Sequence, residues 1–314
     1  MDKDKSKIYN FLRQVYRGMK RRRNLGGKYK FEDRKKDYSK LCIIIAGYKS
    51  FLYDTIFERI IKYIPKDIDV CIVSSGKYDE KLSEIAKKNE WSYLSTKRNC
   101  VSLVQNIAID LFKKAEYIYK LDEDIFITEN YFEKMMKTYN ECEKDGEYKV
   151  GFVAPTIPIN GYGNLNILKR FDKVDYYTKN FEKPLYAAGR DRKIESDPDV
   201  AKFMWGKDNL LPTIDEMNKT VEEDEFSYNA CPIRFSIGAI LFSRQLWEDM
   251  RLFKVKNGPC MGLDEEQICC FCMSNSRAII VSNNSIVGHL SFGTQNEEMK
   301  KYFLENQDKF KCKD

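Results

Sequence analysis

An apolar run opens onto three consecutive acids in the stretch YIYKLDEDIF, residues 117–126. Its alternating β-branched and aromatic residues predict a buried strand that ends at the acids. Because side chains alternate along an extended segment, we expect Asp122 and Asp124 on one side and Glu123 on the other. Two carboxylates at the edge of a sheet predict a site for a hard divalent cation, Mn²⁺ or Mg²⁺. The plainer alternative is an acidic loop that only solvates the end of a strand.

Predicted strands alternate with predicted amphipathic helices ahead of this stretch. The strands fall at residues 41–46, 69–73 and 93–95, and the helices at 54–64, 79–89 and 102–114. This order predicts an α/β fold, a mostly parallel sheet with helices on both faces. Such sheets bind ligands at the carboxyl ends of their strands, so Gly47-Tyr48 and Ser74-Ser75-Gly76 are expected at the same rim as the acids.

The second half of the chain is less regular. A helix at 131–142 and a strand at 150–155 precede some eighty residues rich in Gly, Pro, Asp and Tyr. We interpret these residues as loops and short helices that face a substrate. A strand is predicted at 234–242, and the acids Asp264-Glu265 open a later helix. The only histidine, His289, lies near the C-terminus, and a buried structural histidine is the alternative to a ligand.

Composition favours a globular protein. With 314 residues, of which 43% are hydrophobic, the chain can bury a core as one large domain or two smaller ones. Its ten cysteines lie mostly in apolar runs and no signal peptide is recognised ahead of them, which favours a reduced, cytoplasmic setting. The longest apolar run, residues 41–46, is far below the roughly 18 residues that cross a bilayer.

Positive charge is concentrated at the N-terminus. Residues 1–40 hold 15 Lys and Arg against 5 Asp and Glu, whereas the remainder holds 39 against 43. Within this basic arm, Ile8, Phe11, Leu12 and Val15 follow helical spacing ahead of the run Lys20–Arg23. Such a pattern predicts a basic amphipathic helix at the anionic inner face of a membrane. A solvated arm, or one that contacts an acidic partner, explains it equally well.

Five short motifs follow one another along the predicted elements. They are Ile45-Ala46-Gly47-Tyr48-Lys49, Ser74-Ser75-Gly76-Lys77, Val104-Gln105-Asn106, Leu121-Asp122-Glu123-Asp124 and Asp264-Glu265, with Arg244 after a later strand. Together they resemble the motifs of nucleotide-sugar glycosyltransferases of the GT-A fold, most closely the large family 2 type. The chain departs from that pattern at Ser74-Ser75, where an Asp that contacts uracil is usual, and at Gln105, where an Arg is common.

The resemblance implies a Rossmann-like GT-A fold and roles for particular residues. The implied donor-binding residues are Ala46, Gly47, Tyr48, Ser74, Ser75, Asn106, Asp122 and Glu123. The implied metal ligands are Asp122, Asp124 and His289, and the implied catalytic base is Asp264 or Glu265. The expected division is a nucleotide-sugar-binding half at 41–130, an acceptor-binding and catalytic half at 131–295, and a C-terminal tail at 296–314.

The activity that the resemblance implies is metal-dependent transfer of a sugar from a nucleoside-diphosphate sugar, with UDP as the expected nucleotide. The acceptor would be a hydroxyl of a saccharide, lipid-linked or protein molecule, and the expected outcome is inversion. The chemistry agrees, because departure of a diphosphate needs a counter-charge and attack by a hydroxyl needs a base.

Two other functions fit parts of the sequence. A nucleotidyltransferase of related fold would need a Gly-rich phosphate loop followed by Lys, of which Gly47-Tyr48-Lys49 is a poor version. A non-catalytic protein could bind a partner through its basic arm alone. Nucleic acid is not an expected partner, because the rest of the chain is acidic overall and paired carboxylates repel a phosphate backbone.

Overall fold

A computed structural model describes residues 14–16, 18–189, 192–257 and 262–312. The chain divides into two compact units that alternate along the sequence. Unit 1 comprises Met1–Gly47, Ile68–Ile118 and Phe242–Phe271, and unit 2 comprises Tyr48–Asp67, Tyr119–Leu241 and Cys272–Asp314. The predicted division into a nucleotide-sugar-binding half and an acceptor-binding half concerns function and stays a prediction.

The strands and helices are named in chain order. The strands are β1 (Tyr29–Glu32), β2 (Lys40–Ile45), β3 (Asp69–Ser75), β4 (Ser92–Thr96), β5 (Tyr117–Asp122), β6 (Ile125–Phe126), β7 (Val150–Thr156), β8 (Tyr228–Cys231), β9 (Ala239–Ser243), β10 (Ala278–Ile286) and β11 (Gly288–His289). The helices are α1 (Tyr53–Tyr63), α2 (Glu80–Lys88), α3 (Val101–Leu111), α4 (Tyr131–Asp145), α5 (Gly163–Arg170), α6 (Val174–Asn180), α7 (Lys193–Ser196), α8 (Pro198–Met204), α9 (Ile214–Thr220), α10 (Arg244–Asp249), α11 (Leu263–Ser274) and α12 (Asn296–Glu305). Residues 18–25 are also helical.

Unit 1 contains strands in the order β1-β4-β3-β2. β2, β3 and β4 run parallel, in the register Ile45↔Val73 and Val73↔Leu94. Every residue of β3 and β4 is buried, as expected for strands covered on both faces. Asp79 caps the N-terminus of α2: its carboxylate accepts the Leu82 N–H and satisfies one of the free donors of the first helical turn.

β1 lies within the segment that the sequence analysis assigned to the arm. It pairs antiparallel with β4, in the register Tyr29↔Thr96 and Glu32↔Tyr93. The sequence did not reveal this strand, because it has four residues, two of them exposed, and lacks a continuous apolar run. Of the arm, residues 1–13 and 17 lie outside the described residues, among them Ile8, Phe11 and Leu12. Val15 lies in the described helical residues 14–16 and is exposed.

Unit 2 contains strands in the order β5-β9-β7-β10-β8 and a separate two-stranded sheet of β6 and β11. β7 and β10 run parallel and β8 is antiparallel to β10. α4 packs on β7 and β10. The α/β class and the mostly parallel strands that the sequence predicted are confirmed. Among the described residues, no helix combines the length and the apolar character needed to cross a membrane.

The predicted C-terminal tail is a packed part of unit 2 through residue 312. Met299 and Phe303 of α12 are buried, and so is Phe310 beyond it. The guanidinium of Arg59 in α1 is fully buried and donates to the Phe310 carbonyl at 3.0 Å. It also donates to both carboxylate oxygens of Asp215, at 2.8 and 2.7 Å. One buried ion pair therefore joins α1, α9 and the C-terminal segment.

Removal of one partner from the Arg59–Asp215 pair should destabilise the protein strongly. Asp215→Asn leaves a buried guanidinium without a counter-charge, and we expect a loss of about 3–5 kcal/mol in the free energy of unfolding, measured by urea denaturation. Glu222→Gln is the matched control, because Glu222 pairs with Lys134 at 3.0 Å at a more exposed position. Its expected change is at most about 1 kcal/mol. Small and equal changes in the two variants would contradict the structural role of Arg59.

Candidate active site

The end of β5, in unit 2, carries an ion pair between Lys120 and Asp122. Lys120 is buried, and its ammonium lies 2.7 Å from Asp122 Oδ1 and 2.8 Å from Asp122 Oδ2. The same ammonium donates to the Ile237 carbonyl at 2.8 Å. The Asp122 N–H donates to the Gly238 carbonyl at 2.8 Å. These contacts hold the Asp122 carboxylate at the last residue of the strand.

Glu123 holds the segment that follows Gly47. The backbone N–H of Tyr48 lies 3.0 Å from both carboxylate oxygens of Glu123. The sequence analysis predicted that Glu123 faces away from its two neighbouring acids and contributes to donor binding, and the second of these stays a prediction. The contact gives Glu123 a positioning role, because it anchors the backbone immediately before Lys49.

Asp124 is the most buried of the three acids, with 5% of its surface exposed. Its Oδ2 atom contacts the Lys49 ammonium and lies 3.4 Å from Nε2 of His289. Lys49 Nζ also donates to Asn296 Oδ1 at 3.2 Å. Burial alone would raise the pKa of Asp124, but His289 and Lys49 hold that pKa well below its ordinary value. The Asp124 side chain is therefore a buried carboxylate that stays ionised.

The pairing of β6 with β11 brings His289 to Asp124. His289 is the register partner of Ile125, and the Leu290 N–H donates to the Asp124 carbonyl at 3.0 Å. Trp205 Nε1 donates to the His289 carbonyl at 3.2 Å. A Cβ atom on Gly288 would lie 2.3 Å from the Trp205 ring, so the close packing of that ring requires glycine here. His289 Nδ1 is buried and has no hydrogen-bond partner among the described residues.

The side chains around Asp124 meet the requirements of a divalent-cation site in part. Asp124 and His289 supply an ionised carboxylate oxygen and an imidazole nitrogen that face each other, and carboxylates suit Mn²⁺ and Mg²⁺. Asp122 is instead turned to Lys120. Within the described ranges, no three or more His, Cys, Asp or Glu side chains come together as a metal cluster. Protein sites for these ions commonly use one or two carboxylates, with substrate phosphates and water completing the shell.

Among the predicted donor-binding residues in unit 1, Ala46 and Gly47 continue directly from β2. Ala46 is buried and its N–H donates to the Val73 carbonyl at 2.9 Å. Gly47 has a φ of +145°, a conformation that side chains other than hydrogen disfavour. A glycine is therefore required where the chain leaves the strand.

Ser74 and Ser75 use their hydroxyls within the protein. Ser74 Oγ lies 3.0 Å from the Lys77 carbonyl and 2.5 Å from the Tyr93 hydroxyl. Ser75 Oγ accepts the Cys100 N–H at 2.6 Å. These bonds shape the turn after β3 and the start of α3. A role for either serine in donor binding stays a prediction.

Asn106 has a structural environment that the sequence did not reveal. It is fully buried, and its Oδ1 atom accepts from Trp247 Nε1 and from the Phe253 N–H, both at 2.9 Å. Its Nδ2 atom donates to the carbonyls of Asn24 at 3.0 Å and Phe253 at 2.8 Å. A side-chain amide forms four hydrogen bonds at most in this way. All hydrogen-bonding positions of the Asn106 side chain are therefore used within unit 1. None remains for a sugar nucleotide, contrary to the sequence prediction.

The structure brings together two residues of separate predicted motifs in unit 1. Gln105 Nε2 donates to Asp264 Oδ2 at 2.8 Å, and both side chains are buried. Glu265, the next residue in α11, is half-buried. Arg244 is engaged within the protein, because its guanidinium donates to the carbonyls of Ile109 and Phe112 at the end of α3. Asp264 is thus oriented by Gln105, and Glu265 is the more accessible acid of the pair.

The sequence analysis did not identify Lys120 and Lys49 as partners of the acids. Lys120 and Asp122 are two residues apart on one strand, so the same alternation that paired Asp122 with Asp124 also places Lys120 on their side. This signal was present in the stretch YIYKLDEDIF. The contact of Lys49 with Asp124 spans 75 positions and has no local signal.

No family model matches the sequence, and no curated protein matches it. Solved structures do show similarity to this chain. The crystal structure of GalNAc-T7 with UDP, GalNAc and Mn²⁺ matches with 13% identity and a TM-score of 0.46, over 83% of this chain and 45% of that one. The mannosyltransferase PcManGT from Pyrobaculum calidifontis, in complex with GDP-Man and Mn²⁺, matches with 15% identity and a TM-score of 0.44, over 88% and 64%.

TarS 1-349 from S. aureus matches with 12% identity and a TM-score of 0.42, over 80% of this chain and 60% of that chain. This chain therefore spans less than half of the GalNAc-T7 chain and less than two thirds of each of the other two.

Proposed function

We propose that the chain is a metal-dependent glycosyltransferase of the GT-A type. It transfers a sugar from a nucleoside-diphosphate sugar, with UDP as the first nucleotide to test, to an acceptor hydroxyl with inversion. The observation that carries this proposal is the buried Asp124 carboxylate, which lies just beyond the strand that supplies Asp122 and faces His289. A buried anion at the carboxyl end of a strand is a binding element for a cation and, through it, for a diphosphate.

The cation would be Mn²⁺ or Mg²⁺, held by Asp124 and His289, and it would neutralise charge on the departing diphosphate. The third predicted ligand, Asp122, is paired with Lys120 and would add negative charge beside the ion. The protein's own part is to keep the ligands in place. β11 and the Leu290 N–H hold His289 beside Asp124. Lys120 keeps the Asp122 carboxylate at the strand end. Such preorganisation is what electrostatic stabilisation of a leaving group requires.

The donor nucleoside would lie at the segment that follows β2. Tyr48 exposes 61% of its surface, although its backbone is anchored by Glu123. A fixed backbone with an exposed ring suits stacking on a nucleobase. We assign Ala46 and Gly47 to the shape of this segment and Tyr48 to contact with the base.

The catalytic base belongs to the pair Asp264-Glu265. Asp264 is buried and already accepts a hydrogen bond from Gln105, so it is suited to fix the start of α11. Glu265 is half-buried, so its carboxylate is the more accessible of the two. We therefore assign proton removal from the acceptor hydroxyl to Glu265, and a positioning role to Asp264.

The basic residues near the N-terminus would place the enzyme at an anionic membrane surface on the cytoplasmic side. Lys20, Arg22 and Arg23 are exposed in the helical residues 18–25. Arg21 instead pairs with Asp110 at 2.8 Å, and Asn24 is buried. One side of this segment packs on unit 1 and the other carries charge, which is the arrangement of a peripheral contact.

Asp122→Asn and Asp124→Asn should each reduce sugar transfer by about 10²-fold or more, because each loses the charge that holds the cation. Transfer of radiolabel from a panel of sugar nucleotides, with Mn²⁺ or with EDTA, measures this. Glu123→Gln is the matched control, since the amide keeps one oxygen for the Tyr48 N–H, and it should lose less. Undiminished transfer in EDTA would contradict metal dependence. Release of pyrophosphate from a nucleoside triphosphate would favour a nucleotidyltransferase instead.

Glu265→Gln should lower transfer by about 10²- to 10⁴-fold while donor affinity stays near that of the parent, because only the proton acceptor is lost. Asp264→Asn should lose less, since an amide can still bond with Gln105. The measurement is the rate of transfer at saturating donor, with donor affinity measured in parallel by calorimetry. Parent rates in both variants would remove this pair from the mechanism.

Neutralising Lys20, Arg22 and Arg23 together to Gln should weaken binding to vesicles that contain anionic lipid, since each basic residue contributes about 1 kcal/mol near such a surface. Vesicle co-sedimentation at low and raised salt measures this. The control variant neutralises Lys81, Lys87 and Lys88, which are exposed on α2, and so has the same change in charge. Equal binding by the two variants would contradict a contact through the basic segment.

A further inference from the structure

Lys49 forms an ion pair with Asp124, the buried acid of the candidate site. Its ammonium contacts Asp124 Oδ2, the same oxygen that lies 3.4 Å from His289 Nε2. Only 21% of the Lys49 side chain is exposed. Lys49 ends the motif Ile45-Ala46-Gly47-Tyr48-Lys49, but the resemblance assigns it no role.

A divalent cation held by both Asp124 and His289 would need the place of the Lys49 ammonium, because Lys49 and His289 both face the same oxygen of Asp124, Oδ2. Ions of this kind lie about 2.0–2.6 Å from their oxygen ligands. A second positive charge at hydrogen-bond distance from the same oxygen would be strongly repelled. Binding of the ion at Oδ2 therefore requires the ammonium to leave.

The Lys49 side chain can leave while its backbone stays in place. The preceding N–H, of Tyr48, is held by Glu123, and the Lys49 carbonyl accepts the Leu52 N–H at 2.9 Å. The ammonium also donates to Asn296 Oδ1 at 3.2 Å. This acceptor is neutral, so it holds the ammonium less strongly than a carboxylate does. The four-carbon stem of lysine is flexible, and its ammonium is a common ligand of phosphate groups.

The second lysine of the site differs in these respects. Lys120 exposes 3% of its side chain, spans both oxygens of Asp122 and donates to a buried carbonyl. Moving it would leave a buried ammonium with fewer partners, at a high cost in free energy. Of these two lysines, Lys49 is therefore the one that can exchange.

We propose that Lys49 and the divalent cation exchange at Asp124. The ion displaces the ammonium from the carboxylate, and the released ammonium binds the diphosphate of the donor. This inference rests on the proposed function and adds to it a residue that couples ion binding to donor binding. Ion and donor then bind with positive coupling, because the charge displaced by one is used by the other.

The first test is the affinity of Mn²⁺ for the intact protein without donor, measured by electron paramagnetic resonance of free Mn²⁺. Lys49→Met removes the competing ammonium and should tighten Mn²⁺ by about tenfold or more, the equivalent of a hydrogen bond between charged groups. Damage to the site would weaken Mn²⁺ binding instead. Lys49→Arg keeps the charge and should not tighten it. Lys134→Met, in the half-buried pair with Glu222, is the control and should bind Mn²⁺ as the parent does.

The second test is the affinity for UDP at saturating Mn²⁺. Lys49→Met should weaken UDP by about tenfold, since a charged contact with the diphosphate is lost. Asn296→Ala removes the second acceptor of the ammonium and should tighten Mn²⁺ in the same direction as Lys49→Met, by a smaller factor. This variant serves if Lys49→Met does not fold.

Tighter Mn²⁺ together with weaker UDP supports the exchange. Unchanged or weaker Mn²⁺ in Lys49→Met, or unchanged UDP affinity, overturns it and leaves the proposed glycosyltransferase standing. If the parent and all variants fail to bind Mn²⁺, both the exchange and the metal dependence of the proposed function are overturned.

Discussion

A carboxylate that stays ionised inside the protein, that of Asp124, is the constraint on which the candidate site depends. Burial of an unpaired charge costs several kcal/mol or more. The protein meets this cost with the Lys49 ammonium and His289 at one oxygen. The pairing of β6 with β11, the packing of Trp205 against Gly288 and the bond from the Leu290 N–H to the Asp124 carbonyl all hold these groups in place. Much of the local structure therefore stabilises the Asp124 carboxylate.

Each of the three acids at the end of β5 is engaged by a different nitrogen of unit 2. Lys120 pairs with Asp122, the Tyr48 N–H with Glu123, and Lys49 with Asp124. The acidic stretch is thus balanced within the chain and does not simply face solvent. A ligand cation must compete with these partners, so the affinity for the ion depends on how easily each partner moves. This reasoning separates Lys49, which has a neutral second acceptor, from Lys120, which is held on several sides.

The sequence predicted the strands of continuous apolar character well, because burial on both faces leaves a strong local signal in β2, β3 and β5. It missed β1, whose four residues are held by pairing with β4 and not by apolar character. Motif resemblance placed Asn106 at a ligand, but a motif does not reveal the backbone groups that surround a side chain. The Gln105–Asp264 contact joins residues 159 positions apart, and such long-range contacts leave no pattern in the sequence.

The central claim is that these carboxylates recruit a cation that in turn binds a nucleoside diphosphate. Titration calorimetry of UDP and GDP against the intact parent protein, with Mn²⁺ and then with EDTA, tests it most directly. We expect at least one of the two nucleotides to bind in Mn²⁺ and to bind at least about tenfold more weakly in EDTA. Failure of both nucleotides to bind in Mn²⁺, or equal affinity with and without the ion, would contradict the claim.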